Sequence, residues 1–168
     1  MSSLGNVGRV ADMTENATNI TVTRTIDAPA KEIFDLLSLP ERHHEFDGSG
    51  MVRSDDKSDR IQAVGEVFVM NMHAEHMGGD YQTYNHVTAF DRDKMIGWQP
   101  APEKNKDNPD GWEWLYELRP LSADSTEVTL TYDWSKIDDE KLASIFPLVS
   151  EAELDDSLNQ LAAAVSGS

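Results

Sequence analysis

Two segments of this chain alternate apolar and polar side chains with a period of two, and this alternation limits the fold more than any other feature of the sequence. The apolar side chains in one phase are Trp112, Trp114, Tyr116 and Leu118, followed by Val128, Leu130, Tyr132 and Trp134. Successive side chains of a β-strand point to opposite faces of its sheet. Both segments are therefore predicted to be strands that bury one strongly aromatic face.

Most of the remaining chain is also predicted to be strand. A half-buried strand begins near Asn19. Further candidates occupy residues 51–54, 64–72, 81–90 and 95–99. Short polar turns join most of these segments, whereas residues 100–110 form a long polar loop. Because sequential strands joined by short turns pair in antiparallel fashion, the pattern predicts an antiparallel meander.

Helical patterns lie on both sides of this meander. Asp27 and Pro29 indicate the start of a short helix with Asp27 as its cap, and residues 41–46 are a second short helical piece. Residues 138–146 begin a C-terminal helix, which Pro147 interrupts. A capping-box pattern at residues 150–153 restarts it. The apolar stripe of this last helix is Leu154, Leu158, Leu161 and Val165. The order of elements predicts an α+β fold in which helices cover one sheet.

Composition excludes several classes of partner and chemistry. The 168 residues suit one domain, expected over residues 19–166 after a flexible lead-in of residues 1–18. With 14 Lys and Arg against 31 Asp and Glu, the formal charge is −17, which argues against nucleic acid and anionic membrane surfaces as partners. The absence of cysteine removes disulfides and thiolate chemistry. Since neither a signal peptide nor a membrane-spanning run is apparent, a cytoplasmic location is expected.

Histidines are the candidate titratable groups. His86, beside Tyr84, is a candidate acid or base, although a satisfied or surface histidine is the plainer interpretation. His73 and His76 are three residues apart and would point to opposite faces of a strand, so no metal site is expected. His43 is expected on the surface of the second short helix, with a gate or a pH-sensitive contact as the alternative.

The order of these elements, together with particular segments, resembles a known superfamily. The segments that carry the resemblance are ITVTRTIDAPAKEIFDLLSLPERHHEFDGSG, VGEVFVMNM, NHVTAFDRDKMIGW, WLYELRP and VTLTYDW. They are similar to the Bet v 1-like or START-like superfamily (SRPBCC), in particular its bacterial polyketide cyclase/dehydrase-like branch. The resemblance implies a helix-grip fold, in which a curved antiparallel sheet of about seven strands wraps around the long C-terminal helix. It also implies two short helices after the first strand, and a hydrophobic cavity between sheet and helix.

The resemblance gives the alternation a direction, because the apolar face of the sheet then faces the cavity. The predicted lining residues are Phe68, Met70, Met72, Tyr84, Asn85, His86, Trp98, Trp112, Trp114, Tyr116, Tyr132, Trp134, Leu154 and Leu158. The phase of residues 81–90 stays open, since Asn85 and Val87 fit one choice and Tyr84, His86 and Phe90 fit the other.

Three functions remain open at this point. The first is binding or carrying a hydrophobic or aromatic small molecule, lipid-like or polyketide-like, by a monomer or a homodimer. The second is a cofactor-independent cyclase or dehydratase in which His86 and Tyr84 move protons. The third is a protein-interaction module of the same fold. None of the three requires a metal or a cofactor.

Overall fold

One antiparallel sheet forms most of the protein. The structure, a computed structural model, describes residues 17–166. Its strands are β1 (Asn19–Ile26), β2 (Val52–Asp55), β3 (Val67–Ala74), β4 (Gly79–Asp91), β5 (Met95–Pro102), β6 (Glu113–Ser122) and β7 (Ser125–Asp133). The sheet order is β1-β7-β6-β5-β4-β3-β2, so β2 to β7 form the predicted meander and β1 pairs with its last strand. Nearly all of the predicted lead-in lies outside the described residues.

The helices lie in the expected parts of the chain, although the one predicted over residues 138–146 is only four residues long. They are α1 (Ala30–Leu37), the 3₁₀ helix Pro40–Phe46, α2 (Glu140–Ala143) and α3 (Glu151–Ser166). Two further 3₁₀ turns, Glu75–Met77 and Glu103–Asn105, follow β3 and β5. The predicted α+β fold and the helix-grip arrangement that the resemblance implied are confirmed, with two short helices after β1 and a long helix at the end. Within the described part of the chain, no helix is long and apolar enough to cross a membrane.

Helix α1 begins differently from the prediction. Its N-cap residue is Pro29, and no side chain, including that of Asp27, accepts a capping hydrogen bond there. Pro29 has φ −64° and ψ 146°, an extended conformation that lets the chain enter the helix from β1. The apolar stripe of α1 packs into the core through Ile33, Phe34, Leu36 and Leu37.

Helix α3 begins as predicted. Ser150 N donates to Glu153 Oε1 at 2.9 Å, and Glu153 N donates to Ser150 Oγ at 3.1 Å. This reciprocal pair is a capping box, and each bond satisfies a donor that the helix itself cannot pair. The predicted stripe is buried in full: Leu154, Leu158, Leu161 and Val165. It packs α3 against β1 and against the 3₁₀ helix Pro40–Phe46.

A β-bulge in β4 explains why the phase of this strand was ambiguous. Val87 pairs with Trp98 of β5, but the next paired residue is Ala89, opposite Gly97, so Thr88 is the extra residue. Beyond an extra residue, the side chains that would have faced the core face outward, and those that would have faced outward face the core. Asn85 and Val87 are therefore buried before the bulge, whereas Phe90 packs against Phe34 after it.

Strand β5 is longer than predicted. It continues to Pro102, with Pro100 opposite Asn85 and Pro102 opposite Thr83 of β4. Its pairing with β6 ends at Trp98, so these prolines lie where β5 has a neighbour on one side only. A proline cannot donate a ladder hydrogen bond and is tolerated at such an edge. The long loop therefore begins after Pro102, and β5 and β6 separate beyond Trp98.

Candidate ligand-binding cavity

A cavity of about 620 Å³ lies between the inner face of the sheet and the helices. Its walls come from β3, β4, β5, β6 and β7, from the 3₁₀ helix Pro40–Phe46 and the loop after it, and from the segment that joins α2 to α3. The volume is within the range of small-molecule sites in proteins, which are mostly apolar with a few placed polar groups.

Most of the predicted lining residues border this cavity. They are Phe68, Met70, Met72, Asn85, Trp98, Trp112, Trp114, Tyr116, Tyr132 and Leu154. The rings of Trp114 and Tyr132, on neighbouring strands, stack with their centroids 4.2 Å apart and their planes 10° apart. The Tyr132 hydroxyl accepts from Leu148 N at 3.3 Å, which ties the segment before α3 to the sheet. Aromatic side chains thus form a continuous wall along β5, β6 and β7.

Two predicted lining residues belong to the core beside the cavity. Trp134 packs its ring against Tyr132 and Phe146, and Leu158 is fully buried on α3. Neither borders the open space. The periods of the strand and the helix predicted that both side chains are buried. The position of the cavity depends instead on the distance between the sheet and the helices, which these periods do not determine.

Tyr84 and His86 lie on the outer face of the sheet, and their predicted place in the cavity is corrected. Both precede the bulge in β4, in the phase opposite to Asn85. His86 Nε2 is 2.7 Å from the carbonyl oxygen of Lys106, and Lys106 Nζ lies 5.8 Å from the centroid of the Tyr84 ring. Both side chains therefore contact the β5–β6 loop, and the structure does not bring them to the cavity.

His43 lies inside the cavity wall, so its predicted surface position is wrong. The side chain is 4% exposed, and its Nε2 donates to the carbonyl oxygen of Leu37 at 2.7 Å. The ring stacks on Trp98, with centroids 5.1 Å apart, and meets Phe68 edge-on. Burial lowers the pKa of His43 to about 4, although the bond to Leu37 opposes this effect. The ring is thus neutral at pH 7, with Nδ1 as an acceptor.

The sequence did contain a signal for His43. Residues three apart lie on the same side of a 3₁₀ helix, because that helix has three residues per turn. Pro40, His43 and Phe46 have this spacing, and they are the buried residues of their helix. His44, which immediately follows, is exposed. The prediction of a short helical piece, with no helix type assigned, does not reveal this stripe, since the stripe depends on the 3₁₀ period of three residues.

A carboxylate lies at the end of the cavity next to this 3₁₀ helix. Asp47 Oδ1 accepts from Ser49 N at 3.0 Å and from Ser49 Oγ at 2.7 Å, and its Oδ2 accepts from Val52 N at 2.7 Å. Tyr81 and Tyr116 line the cavity with it. The pKa of both phenols lies above its usual value, mainly because of burial and to a smaller extent because of the negative charge of Asp47. Both tyrosines therefore stay protonated hydrogen-bond donors.

The lining residues that are exposed mark where the cavity opens. They include His76 and Met77 in the β3–β4 turn, Glu103 and Lys104 after β5, and Ile145 after α2. Met77 is 50% and Ile145 is 55% exposed, so two different segments contribute exposed apolar side chains to the opening. These segments are short turns and 3₁₀ pieces, the kind of structure that opens locally at low cost.

The histidines of the described residues form no metal centre. Over residues 17–166, no group of three or more histidine, aspartate or glutamate side chains is arranged to hold a metal ion. His73 Nδ1 is 2.7 Å from Asp80 Oδ1 on the exposed end of the β3–β4 hairpin. His76 is at the rim of the cavity.

Comparison with known proteins agrees with this architecture. A family model described as Activator of Hsp90 ATPase homolog 1-like protein matches residues 27–166. Uncharacterized protein Rv0088 of Mycobacterium tuberculosis is 34% identical over 115 residues, which are 67% of this chain and 47% of that protein. The chain thus spans about half the length of the curated relatives it matches.

Solved structures share the fold at low sequence identity. Protein Ms6760 of Mycobacterium smegmatis has a TM-score of 0.65 and 18% identity, over 89% of this chain and 92% of that one. The ZhuI aromatase/cyclase of Streptomyces sp. R1128 has a TM-score of 0.63 and 13% identity, over 88% and 93% of the two chains. At these identities the likeness establishes the fold alone.

Proposed function

The chain belongs to the family of Activator of Hsp90 ATPase homolog 1-like proteins, and we propose that it binds or carries a hydrophobic or aromatic small molecule in its internal cavity. The observation that carries this proposal is the cavity itself, about 620 Å³ in volume and walled by aromatic and methionine side chains. A gap of this size inside a folded core forfeits packing contacts, so its retention favours an occupant.

The chemistry of the walls supports an apolar ligand. Rings on β5, β6 and β7 offer flat surfaces with polar edges, which suit an aromatic or polyketide-like molecule. Met70 and Met72 on β3 are flexible thioethers, which adapt to the shape of a ligand. The rim, where the apolar side chains of Met77 and Ile145 are exposed, gives such a molecule a path from the surface.

A cavity-blocking substitution tests the proposal. Nile red, an uncharged dye whose fluorescence rises in apolar surroundings, serves as the probe. We expect the unsubstituted protein to bind the dye, and Met72→Trp to weaken that binding at least about tenfold, because the indole fills the ligand space. Val67→Trp is the matched control, since Val67 is exposed on the opposite face of the same strand.

Two results would contradict a binding function. One is the absence of saturable dye binding by the folded, unsubstituted protein. The other is an equal loss of binding in Met72→Trp and Val67→Trp, which would place the dye outside the cavity. Circular dichroism of both variants establishes that each is folded.

A second candidate, a protein-interaction module, is favoured by the description of the family. The exposed apolar side chains Val64, Val67 and Leu121 lie away from the residues that line the cavity, and they offer contact surface for a partner. The direct test is the ATP hydrolysis rate of an Hsp90 with and without this protein. Stimulation that survives Met72→Trp would favour the interaction module over the carrier.

A further inference from the structure

The Tyr116 hydroxyl is a buried polar group in need of a partner. Tyr116 is 5% exposed and lines the cavity from β6. No hydrogen bond joins its hydroxyl to any other residue in the described part of the chain, whereas the Tyr132 hydroxyl is paired with Leu148. Buried hydroxyls in native proteins nearly always have a partner. The phenol of Tyr116 therefore requires an acceptor that residues 17–166 do not supply.

Trp98 adds a second donor to the same wall. It is 9% exposed, and among residues 17–166 no atom accepts a hydrogen bond from its indole N–H. Its ring centroid is 6.0 Å from that of Tyr116, with the planes 29° apart. An indole N–H only donates, and a protonated phenol donates readily. Both residues line the cavity, and donors without acceptors on a cavity wall are complementary to ligand oxygens.

The charge of the cavity wall limits which kind of ligand oxygen can bind beside Tyr116. The Asp47 carboxylate is close enough to Tyr116 for its charge to act on that phenol, and it lines the same cavity. Among the described lining residues, Lys104 alone is a lysine or arginine, and it is exposed at the rim. A ligand carboxylate at Tyr116 would face a like charge without a buried cation to offset it.

We propose that the ligand is an uncharged, ring-containing molecule that presents a ketone or hydroxyl oxygen to Tyr116 and Trp98, and that the cavity discriminates against carboxylates. This rests on the proposed binding function and narrows its ligand to one chemical class. Long-chain acids and other amphiphilic anions are excluded by Asp47, and pure hydrocarbons leave both donors unpaired. The apolar body of the ligand lies among the surrounding rings, such as Phe46, which meets Tyr116 edge-on.

Three probes with one ring system separate these classes. They are 2-acetylnaphthalene, naphthalene and 2-naphthoate, titrated at pH 7 into ¹⁵N-labelled protein and followed by NMR. We expect 2-acetylnaphthalene to bind about tenfold more tightly than either of the others, which corresponds to one satisfied hydrogen bond. The indole N–H resonance of Trp98, assigned with Trp98→Phe, should move downfield with the ketone and not with naphthalene.

A single-atom substitution locates the preference. Tyr116→Phe should lower the affinity for 2-acetylnaphthalene about tenfold and leave the affinity for naphthalene unchanged. Tyr84→Phe is the matched control, because it removes a hydroxyl from the outer face of the sheet, and it should change neither affinity.

The outcomes distinguish this inference from the proposed function. If naphthalene or 2-naphthoate binds as tightly as the ketone, or if Tyr116→Phe keeps the preference, the inference is overturned while small-molecule binding stands. If none of the probes binds although Nile red does, the inference is overturned while small-molecule binding stands. If neither the probes nor Nile red bind, the proposed function fails as well. Should Tyr116→Phe not fold, the ranking of the probes on the unsubstituted protein decides the matter.

Discussion

At the scale of single residues, His43 shows how burial controls protonation. Its ring is enclosed by Trp98, Phe68 and Phe46, and the protonated form would carry a charge into this apolar surrounding. The bond from Nε2 to Leu37 O fixes the neutral tautomer that donates at Nε2. In the unfolded chain the same side chain titrates near pH 6.5, whereas its pKa in the folded protein is about 4.

This difference predicts a dependence of stability on pH. Between pH 6.5 and pH 4 the unfolded chain binds a proton at His43 that the folded protein does not, so folding loses stability as the pH falls through this window. The loss is on the order of 3 kcal/mol between pH 7 and pH 4. Urea denaturation of the protein and of His43→Gln, whose amide keeps a donor for Leu37 O, measures it.

The unsubstituted protein and His43→Gln should differ in how steeply the free energy of unfolding changes with pH, and not only in its value at one pH. His43→Gln is expected to lose less free energy of unfolding over this range than the unsubstituted protein. His44→Gln is the control, because His44 is the exposed neighbour and its charge is the smallest influence on the His43 pKa, so this variant should keep most of the dependence. Equal dependence in the protein and in His43→Gln would show that His43 is not buried as a neutral group.

At the scale of elements, the loop after the 3₁₀ helix Pro40–Phe46 is fastened directly onto α3. Gly48 N donates to Ser157 Oγ at 2.8 Å, and a Cβ at Gly48 would overlap the carbonyl oxygen of Glu153. Backbone therefore approaches backbone at this position, which only glycine permits. The contact holds Asp47 and the 3₁₀ helix, two parts of the cavity wall, against the start of the long helix.

We expect Gly48→Ala to destabilise the protein by about 3 kcal/mol, because the methyl group must displace helix backbone rather than a flexible side chain. The control is Gly50→Ala. A Cβ at Gly50 meets nothing within 4 Å, so its cost is the left-handed conformation alone (φ +74°), about 1 kcal/mol. Thermal or urea unfolding of both variants measures the difference, and a smaller effect at Gly48 than at Gly50 would refute the close contact.

At the scale of the whole molecule, the excess of negative charge opposes compaction. The formal charge is −17, and the ion pairs of the described residues are few and largely exposed, such as Lys31 with Asp35 and Arg119 with Glu127. Exposed pairs contribute little to stability. Repulsion among the unpaired carboxylates therefore lowers the free energy of unfolding at neutral pH.

Salt should relieve this repulsion. We expect the urea midpoint at pH 7 to rise as NaCl increases from about 0.01 M to about 0.5 M, because the screening length falls well below the size of the domain. The same titration near pH 4.4, the isoelectric point of the sequence, is the control and should show a much smaller rise. A midpoint that does not depend on salt at pH 7 would show that self-repulsion is unimportant here.

Local patterns in the sequence were sufficient for the architecture. The period of two in β6 and β7, the stripe of α3 and the Ser150–Glu153 capping box each depend on residues close in the chain. For that reason the antiparallel sheet, its apolar face and the closing helix follow from the sequence by itself. The resemblance added that sheet and helix enclose a cavity.

The composition of the cavity wall was decided by tertiary structure. His43 enters it because a 3₁₀ helix, rather than an α-helix, packs against Trp98. Tyr84 and His86 are excluded because pairing with β5 fixes the phase of β4 and places its bulge at Thr88, after both residues. The sequence thus determined which elements form and which residues are apolar. Register, bulge position and the distance between elements are set by partners remote in the chain, and they decided which polar groups face the cavity.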